Sequence, residues 1–203
     1  MTETNRLEAF SDGVLAIAIT LLILDIKVPL EVEGSLWSAL GGQKWTIAAY
    51  VTSFLVLGVM WVNHHALFAS IRYVDRPLLF LNLLLLMGMS AMPFTTSLFA
   101  EYLGQGGANA HVAGAVYSGL TVYLALMFGA VWGYAAYHPR LLAEGVDPAA
   151  ARASVPRFSV GVVVYALTVG LAFLSPVLTL AVHAGIAIYY VTNRLAAPDR
   201  QPA

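Results

Sequence analysis

Six long apolar runs, at 6–28, 45–71, 77–102, 111–137, 155–174 and 176–194, constrain the fold of this chain more than any other feature. A bilayer core about 30 Å thick needs roughly 20 predominantly apolar residues per helix, and each run approaches or exceeds that length. The 203 residues are 60% apolar and only 10% charged. Soluble domains carry about 45–50% apolar and about 25% charged residues, so the surplus exceeds what one core of ordinary size can hide. The sequence therefore predicts an all-α polytopic membrane protein with six transmembrane helices. Ten Lys and Arg against eleven Asp and Glu leave no global basic field, which removes nucleic acid as a partner. With no cysteine there is no disulfide framework, thiolate nucleophile or Cys-based metal site.

The connections are short: an acidic hairpin around Glu31 and Glu33, a tight turn at 72–76 and a glycine-rich loop at 104–107. The longer segment 138–156 holds Pro139, Gly145, Asp147 and Pro148 and reads as a polar linker. Residues 1–197 form a single six-helix membrane domain in this reading, and 198–203 a disordered tail. Arg6, Arg72, Arg76, Arg140, Arg152, Arg157, Arg194 and Arg200 fall on one side of a six-span layout, and only Lys27 and Lys44 on the other. Basic residues near span ends stay cytoplasmic, so both termini are expected in the cytoplasm of a cell carrying the protein in its inner membrane. A cleaved signal peptide is the other reading of the first run. Its basic leader is nearly missing, which favours a retained span.

The first run is the weakest. Its uninterrupted apolar part, 13–24, rises only about 18 Å as a helix, so a turn at each end is drawn toward the hydrocarbon and Asp12 becomes a candidate intramembrane carboxylate. Such groups are expensive unless paired. Asp12, His64 and Asn82 each lie six to eight residues from Arg6, Arg72 and Arg76, about 9 to 12 Å deep at 1.5 Å per residue. That shared layer groups Ser11, Asp12, Trp61, Asn63, His64, His65 and Asn82 into a cluster able to tie the first three helices together. The plainer readings stay open: Asp12 as a helix cap, the histidines and Trp61 as interfacial residues. On a helical wheel Gly13, Ile17, Thr20, Leu21 and Leu24 share a sector of about 100°, with Asp12 well to one side. Taken alone, that stripe is ordinary helix packing or lipid contact.

The stretch Arg6-Leu7-Glu8-Ala9-Phe10-Ser11-Asp12 resembles the signature Arg-x-x-x-Phe-Ser-Asp that opens the first helix of the transmembrane protein 175 family. Trp61 and His64, spaced Trp-x-x-His in the second run, add to the likeness. The family comprises lysosomal potassium channels in animals, with single-repeat bacterial relatives. Animal members carry two six-span repeats and dimerise; one repeat here implies a homotetramer around a central pore. The resemblance further implies that the first helices line the ion pathway, with Ile17 as the constriction, Leu21 and Leu24 as further apolar layers and Thr20 as the residue bearing on selectivity. Arg6, Phe10, Ser11 and Asp12 would then hold that helix against Trp61, His64 and Asn82. Ala16 stands where a hydroxyl-bearing residue precedes the constriction. The implied function is a potassium-permeable cation channel that passes K+ transiently, with no cofactor and no bound metal.

Physically, four Ile17 side chains meeting on an axis would exclude water, because an ion cannot shed its hydration there without replacement ligands. Thr168-Val169-Gly170 has the look of a carbonyl filter, but it lies within the fifth run, Leu171 replaces the aromatic, and no room remains for a re-entrant loop. The competing reading is a small proton-coupled transporter using Asp12 and His64 as a relay. Paired Gly- or Pro-interrupted helices in corresponding halves, the usual mark of such transporters, are missing. Metalloprotease and nucleophile-elbow motifs are missing too, so no enzyme is expected.

Overall fold

A computed structural model describes residues 2–29 and 35–192. The hairpin at Glu31 and Glu33, the end of the last apolar run at Arg194, Arg200 and the tail 198–203 lie outside the described residues. The chain is helical, with nine α-helices among the described residues. Helix α1 (Asn5–Leu21) passes into one 3-10 turn, Leu22–Asp25. It stops short of Val28 because Ile26 turns extended and Pro29 bars the preceding residue from helical geometry. A short helix α2 (Leu36–Gly42) precedes α3 (Lys44–Phe68).

The third apolar run is two helices, α4 (Arg76–Ser90) and α5 (Met92–Gln105), broken at Ala91. Pro93 sits in the first turn of α5, where its missing N–H and bulky ring interrupt the ladder that would have continued α4. Gly106 and Gly107, at φ 74° and 73°, turn the chain into α6 (Gly107–Tyr137), the longest helix at 31 residues. The segment read as a polar linker instead holds a 3-10 turn, Pro139–Leu141, and a helix α7 (Pro148–Ser154) capped by the Asp147 carboxylate. Helices α8 (Pro156–Leu174) and α9 (Pro176–Thr192) each open on a proline, the residue best tolerated at a first helical position.

Among the described residues, five helical stretches are long and apolar enough to cross a membrane: Asn5–Asp25, Lys44–Phe68, Arg76–Gln105, Gly107–Tyr137 and Pro148–Leu174. Helix α9 is equally apolar but has 17 residues, a rise of about 25 Å. Helix α6 is the hub, packed against α8, α5, α4 and α9, while α3 lies against α5 and α9. The α4–α6 contact depends on Gly88, where an added Cβ would fall 2.6 Å from the Tyr123 ring. The Tyr123 hydroxyl then donates to the Leu84 carbonyl at 2.8 Å.

Most polar side chains inside the bundle pair with one another, as groups beyond the reach of water tend to, and Ser118 is the buried exception among the described residues. Thr96 donates to Ser53 at 2.7 Å, and Ser53 bonds the fully buried Tyr117 hydroxyl at 3.0 Å, joining α5, α3 and α6. Around buried His183 of α9, Nε2 faces the hydroxyls of Thr121 at 3.2 Å and Thr168 at 3.5 Å, and Nδ1 faces the Thr179 carbonyl at 2.9 Å.

One end of the bundle is laced by the backbone. Strand β1 (Thr2–Glu3) pairs antiparallel with β2 (Tyr73–Val74), and Ile71 bridges to Leu142. Asp75 caps α4 by accepting from the Leu78 N–H at 3.2 Å, and also accepts from the Tyr134 hydroxyl at 3.0 Å and Arg140 at 3.4 Å. Burial raises the Asp75 carboxyl, but the bonds from Leu78, Tyr134 and Arg140 together outweigh it and hold the group below its ordinary value. Arg72 pairs with Glu144 across the same surface.

Candidate functional site: the two faces of the first helix

Helix α1 lies at the side of the bundle, against α4 and α3. Its inward stripe, Leu7, Ser11, Leu15, Ala18 and then Leu22, recurs at the three- and four-residue spacing of one helix face and is buried throughout. Ser11 is the polar member of that stripe, and it begins a chain of hydrogen bonds across three helices. Its hydroxyl donates to the Leu7 carbonyl at 2.8 Å, which leaves the oxygen free to accept from Asn82 Nδ2 at 3.0 Å. The Asn82 Oδ1 lies 2.9 Å from His64 Nε2. Since a carbonyl oxygen only accepts, His64 carries its proton on Nε2 and donates. Ser11 and Asn82 are fully buried and His64 nearly so. The His64 ring also lies 4.5 Å from that of Phe68.

A second link runs beside the first. Trp61 Nε1 donates to Asp12 Oδ1 at 2.9 Å, with both side chains on the exposed side of the α1–α3 seam. Asp12 and His64 thus sit in separate bonds, and no hydrogen bond joins them among the described residues. Asn63 is half-buried and His65 exposed, and neither enters this network among the described residues. Arg6 and Phe10 are exposed, five residues and one residue before Ser11 and off the inward stripe.

The other side of α1 is open among the described residues. Ile17 is 61% exposed and Leu24 69%, with Leu21 and Thr20 exposed between them. The Thr20 hydroxyl donates to the Ile17 carbonyl at 2.9 Å. Its proton is thereby spent within the helix, and the oxygen lone pairs face outward. Gly13 and Ala16 keep the same side slim. An apolar stripe with one outward-facing acceptor is what this face offers a neighbour.

The model of the family described as "Endosomal/lysosomal potassium channel TMEM175" matches residues 6–93, from the start of α1 to the first turn of α5. A potassium channel of Streptomyces collinus is 54% identical over 204 residues, covering all of this chain and 98% of that protein. The chain belongs to the TMEM175 family. A second relative, a potassium channel of Chamaesiphon minutus, is 41% identical over 194 residues, 93% of this chain and 94% of its own. The crystal structure of a lysosomal potassium-selective channel TMEM175 homologue from Chamaesiphon minutus superposes with a TM-score of 0.81 at 37% identity, covering 95% of this chain and 98% of that one. The TMEM175 family is one of ion channels, not enzymes. Within this TMEM175 chain the matched residues contain every member of the Ser11–Asn82–His64 chain, the Asp12–Trp61 link and the open stripe of α1.

Spacing alone does not reveal two further groups. The Asp75 hub needs Arg140 and Tyr134, which lie some sixty residues away, although Asp75 two residues before Pro77 is a readable cap signal. The Gln43 side chain, in a connection with no charge pattern, grips the Lys27 backbone with both its atoms.

Proposed function

We propose that this protein is a potassium-permeable cation channel of one membrane domain over 1–197, in which four copies place the open face of α1 around a common axis. The observation that carries the reading is the exposed stripe of Ile17, Leu21 and Leu24 with Thr20, on a helix fixed from its other side by Ser11, Asn82 and His64. In a homotetramer the Ile17 side chains form a hydrophobic constriction that conducts only when widened. The four Thr20 oxygens, their protons held by Ile17 carbonyls, then supply weak coordination one turn away. Weak oxygen ligands replace only part of a hydration shell, so the expected preference for K+ over Na+ is modest. With α9 counted as a sixth, short span, both termini face the cytoplasm across the inner membrane. That end carries Arg72, Arg76, Arg140, Arg152 and Arg157, whereas Lys27 and Lys44 lie at the other.

Arg6, Phe10, Ser11, Asp12, Trp61, His64 and Asn82 act as the mount of the pore helix in this reading, and none of them is asked to bind the ion. The names of the relatives, potassium channels in both bacterial proteins, support the choice of ion. Reconstituted vesicles test it. Passive K+ flux is expected to persist with no proton gradient, and flux that vanishes when the gradient collapses replaces the channel with a coupled transporter. Ile17→Asn hydrates the constriction and is expected to raise leak for K+ and Na+ alike. Unchanged flux in that variant removes Ile17 from the pathway.

A further inference from the structure

Between the first span and α3 lies α2, a seven-residue helix with no charged side chain and no buried residue. Trp37 is 85% exposed and Leu36 is exposed beside it. A helix of that length rises about 10 Å and cannot cross a bilayer. It joins the ends of two spans at the level of Lys27 and Lys44, where water gives way to headgroups. The exposed residues Ile47, Val51 and Phe54 of α3, at i, i+4 and i+7, carry an apolar surface on from it into the bilayer. Indole rings favour the headgroup level, where the apolar body is buried and the N–H stays wet.

The residue that follows α2 makes an unusual contact. Gln43 Oε1 accepts from the Lys27 N–H at 3.0 Å, and Gln43 Nε2 donates to the Lys27 carbonyl at 2.7 Å. One side chain thus satisfies both backbone groups of Lys27, as a paired strand would. Lys27 lies three residues beyond Leu24, the last member of the open stripe on the first helix. The structure therefore couples α2 to the end of that helix through one amide.

We propose that α2 is an interfacial anchor: Trp37 and Leu36 lie among the lipid headgroups and upper acyl chains, and the Gln43–Lys27 clamp fixes the end of the first span to that depth. Lipid is the occupant because the helix is uncharged, short and tethered at both ends to spans that place it at the membrane boundary. The anchor itself rests only on the chain crossing a membrane. Its bearing on conduction rests on the reading of α1 as the pore helix.

The test uses the full chain in phosphatidylcholine vesicles with brominated acyl chains, comparing the wild-type protein with Trp37→Phe. If Trp37 lies in the interface, bromolipid quenches a share of the emission that disappears in Trp37→Phe, while iodide in the water quenches both proteins equally. An emission component quenched by iodide and lost in Trp37→Phe puts the helix in water and overturns the anchor. A component reached by neither quencher puts it against a second copy and overturns it equally. The clamp is read separately by hydrogen exchange in the same vesicles. Gln43→Ala is expected to speed exchange of the Lys27 amide about threefold to tenfold, the worth of one lost hydrogen bond. An unchanged Lys27 rate overturns the clamp. Neither readout depends on ion flux, so the channel reading fails or stands on its own experiment.

Discussion

Two of the buried polar clusters in this bundle are built around a histidine, and they differ in what lies behind them. The first, Ser11–Asn82–His64, ties α1 to α4 and α3. The second, His183 with Thr121 and Thr168, ties α9 to α6 and α8. Both satisfy buried donors and acceptors in the same way, and side-chain chemistry alone would mark each as a functional site. The difference lies on the far face of the helix being held. On α9 that face carries Val177, Leu178 and Ile188, fit for hydrocarbon. Beyond the first cluster it carries Ile17, Leu21 and Leu24 with the Thr20 oxygen among them. A polar contact inside a membrane bundle is therefore weak evidence of function by itself. A polar contact that positions a helix with a distinctive open face is much stronger.

The largest effect belongs to Asn82→Leu. It removes both bonds that Asn82 makes in a fully buried position and strands the His64 N–H, at a cost of about 2 kcal/mol or more. Thermal unfolding of the detergent-solubilised protein measures the loss, and on the proposed reading of α1 as the pore helix K+ flux is expected to change with it. His183→Leu should lower the unfolding temperature by a comparable or smaller amount while leaving the K+ to Na+ permeability ratio as in the wild type. A shifted ratio in that variant breaks the contrast between the clusters.

Gly88→Val tests the packing that both clusters rely on. The new side chain collides with Tyr123, an overpacking cost of about 1–3 kcal/mol, again read as a lower unfolding temperature. Tyr123→Phe removes only the bond to the Leu84 carbonyl and should cost about 1 kcal/mol.

The smallest effect concerns Asp75. Its folded carboxyl titrates below the ordinary value of 3.8, so its contribution to stability is complete above that value and is lost as pH falls through the lowered one. Asp75→Asn should flatten this acid limb and leave stability at neutral pH less dependent on Arg140. An unaltered acid limb shows that Asp75 does not set it.

Much of the helical layout was legible because apolar length is the dominant physical constraint on a chain in lipid. The break at Ala91 leaves no mark in the hydropathy of 77–102, which runs on through Met92 and Pro93. Helix α7 was hidden because a run of alanines after Asp147 and Pro148 carries helix propensity without an apolar stripe. At the site, equal depth from Arg6, Arg72 and Arg76 grouped Ser11, Asp12, Trp61, His64 and Asn82. Depth could not say which side chain bonds which. The structure pairs Asp12 with Trp61 and His64 with Asn82, and leaves Asn63 and His65 out. Azimuth decides such pairings, and it depends on how the helices are rotated against one another, which hydropathy does not encode. The Gln43–Lys27 clamp was illegible for a related reason: a single amide facing a backbone leaves no pattern along the chain.

Because the chain has no cysteine of its own, single cysteines test the open face of α1 cleanly. Thr20→Cys and Leu15→Cys, in proteoliposomes conducting K+, are treated with a small, charged, water-soluble thiol reagent. If the open face lines the pore, modification at position 20 blocks flux and position 15, buried in the bundle, is untouched. Reaction at position 20 with flux unchanged, or no reaction there while the channel conducts, would place the pathway elsewhere.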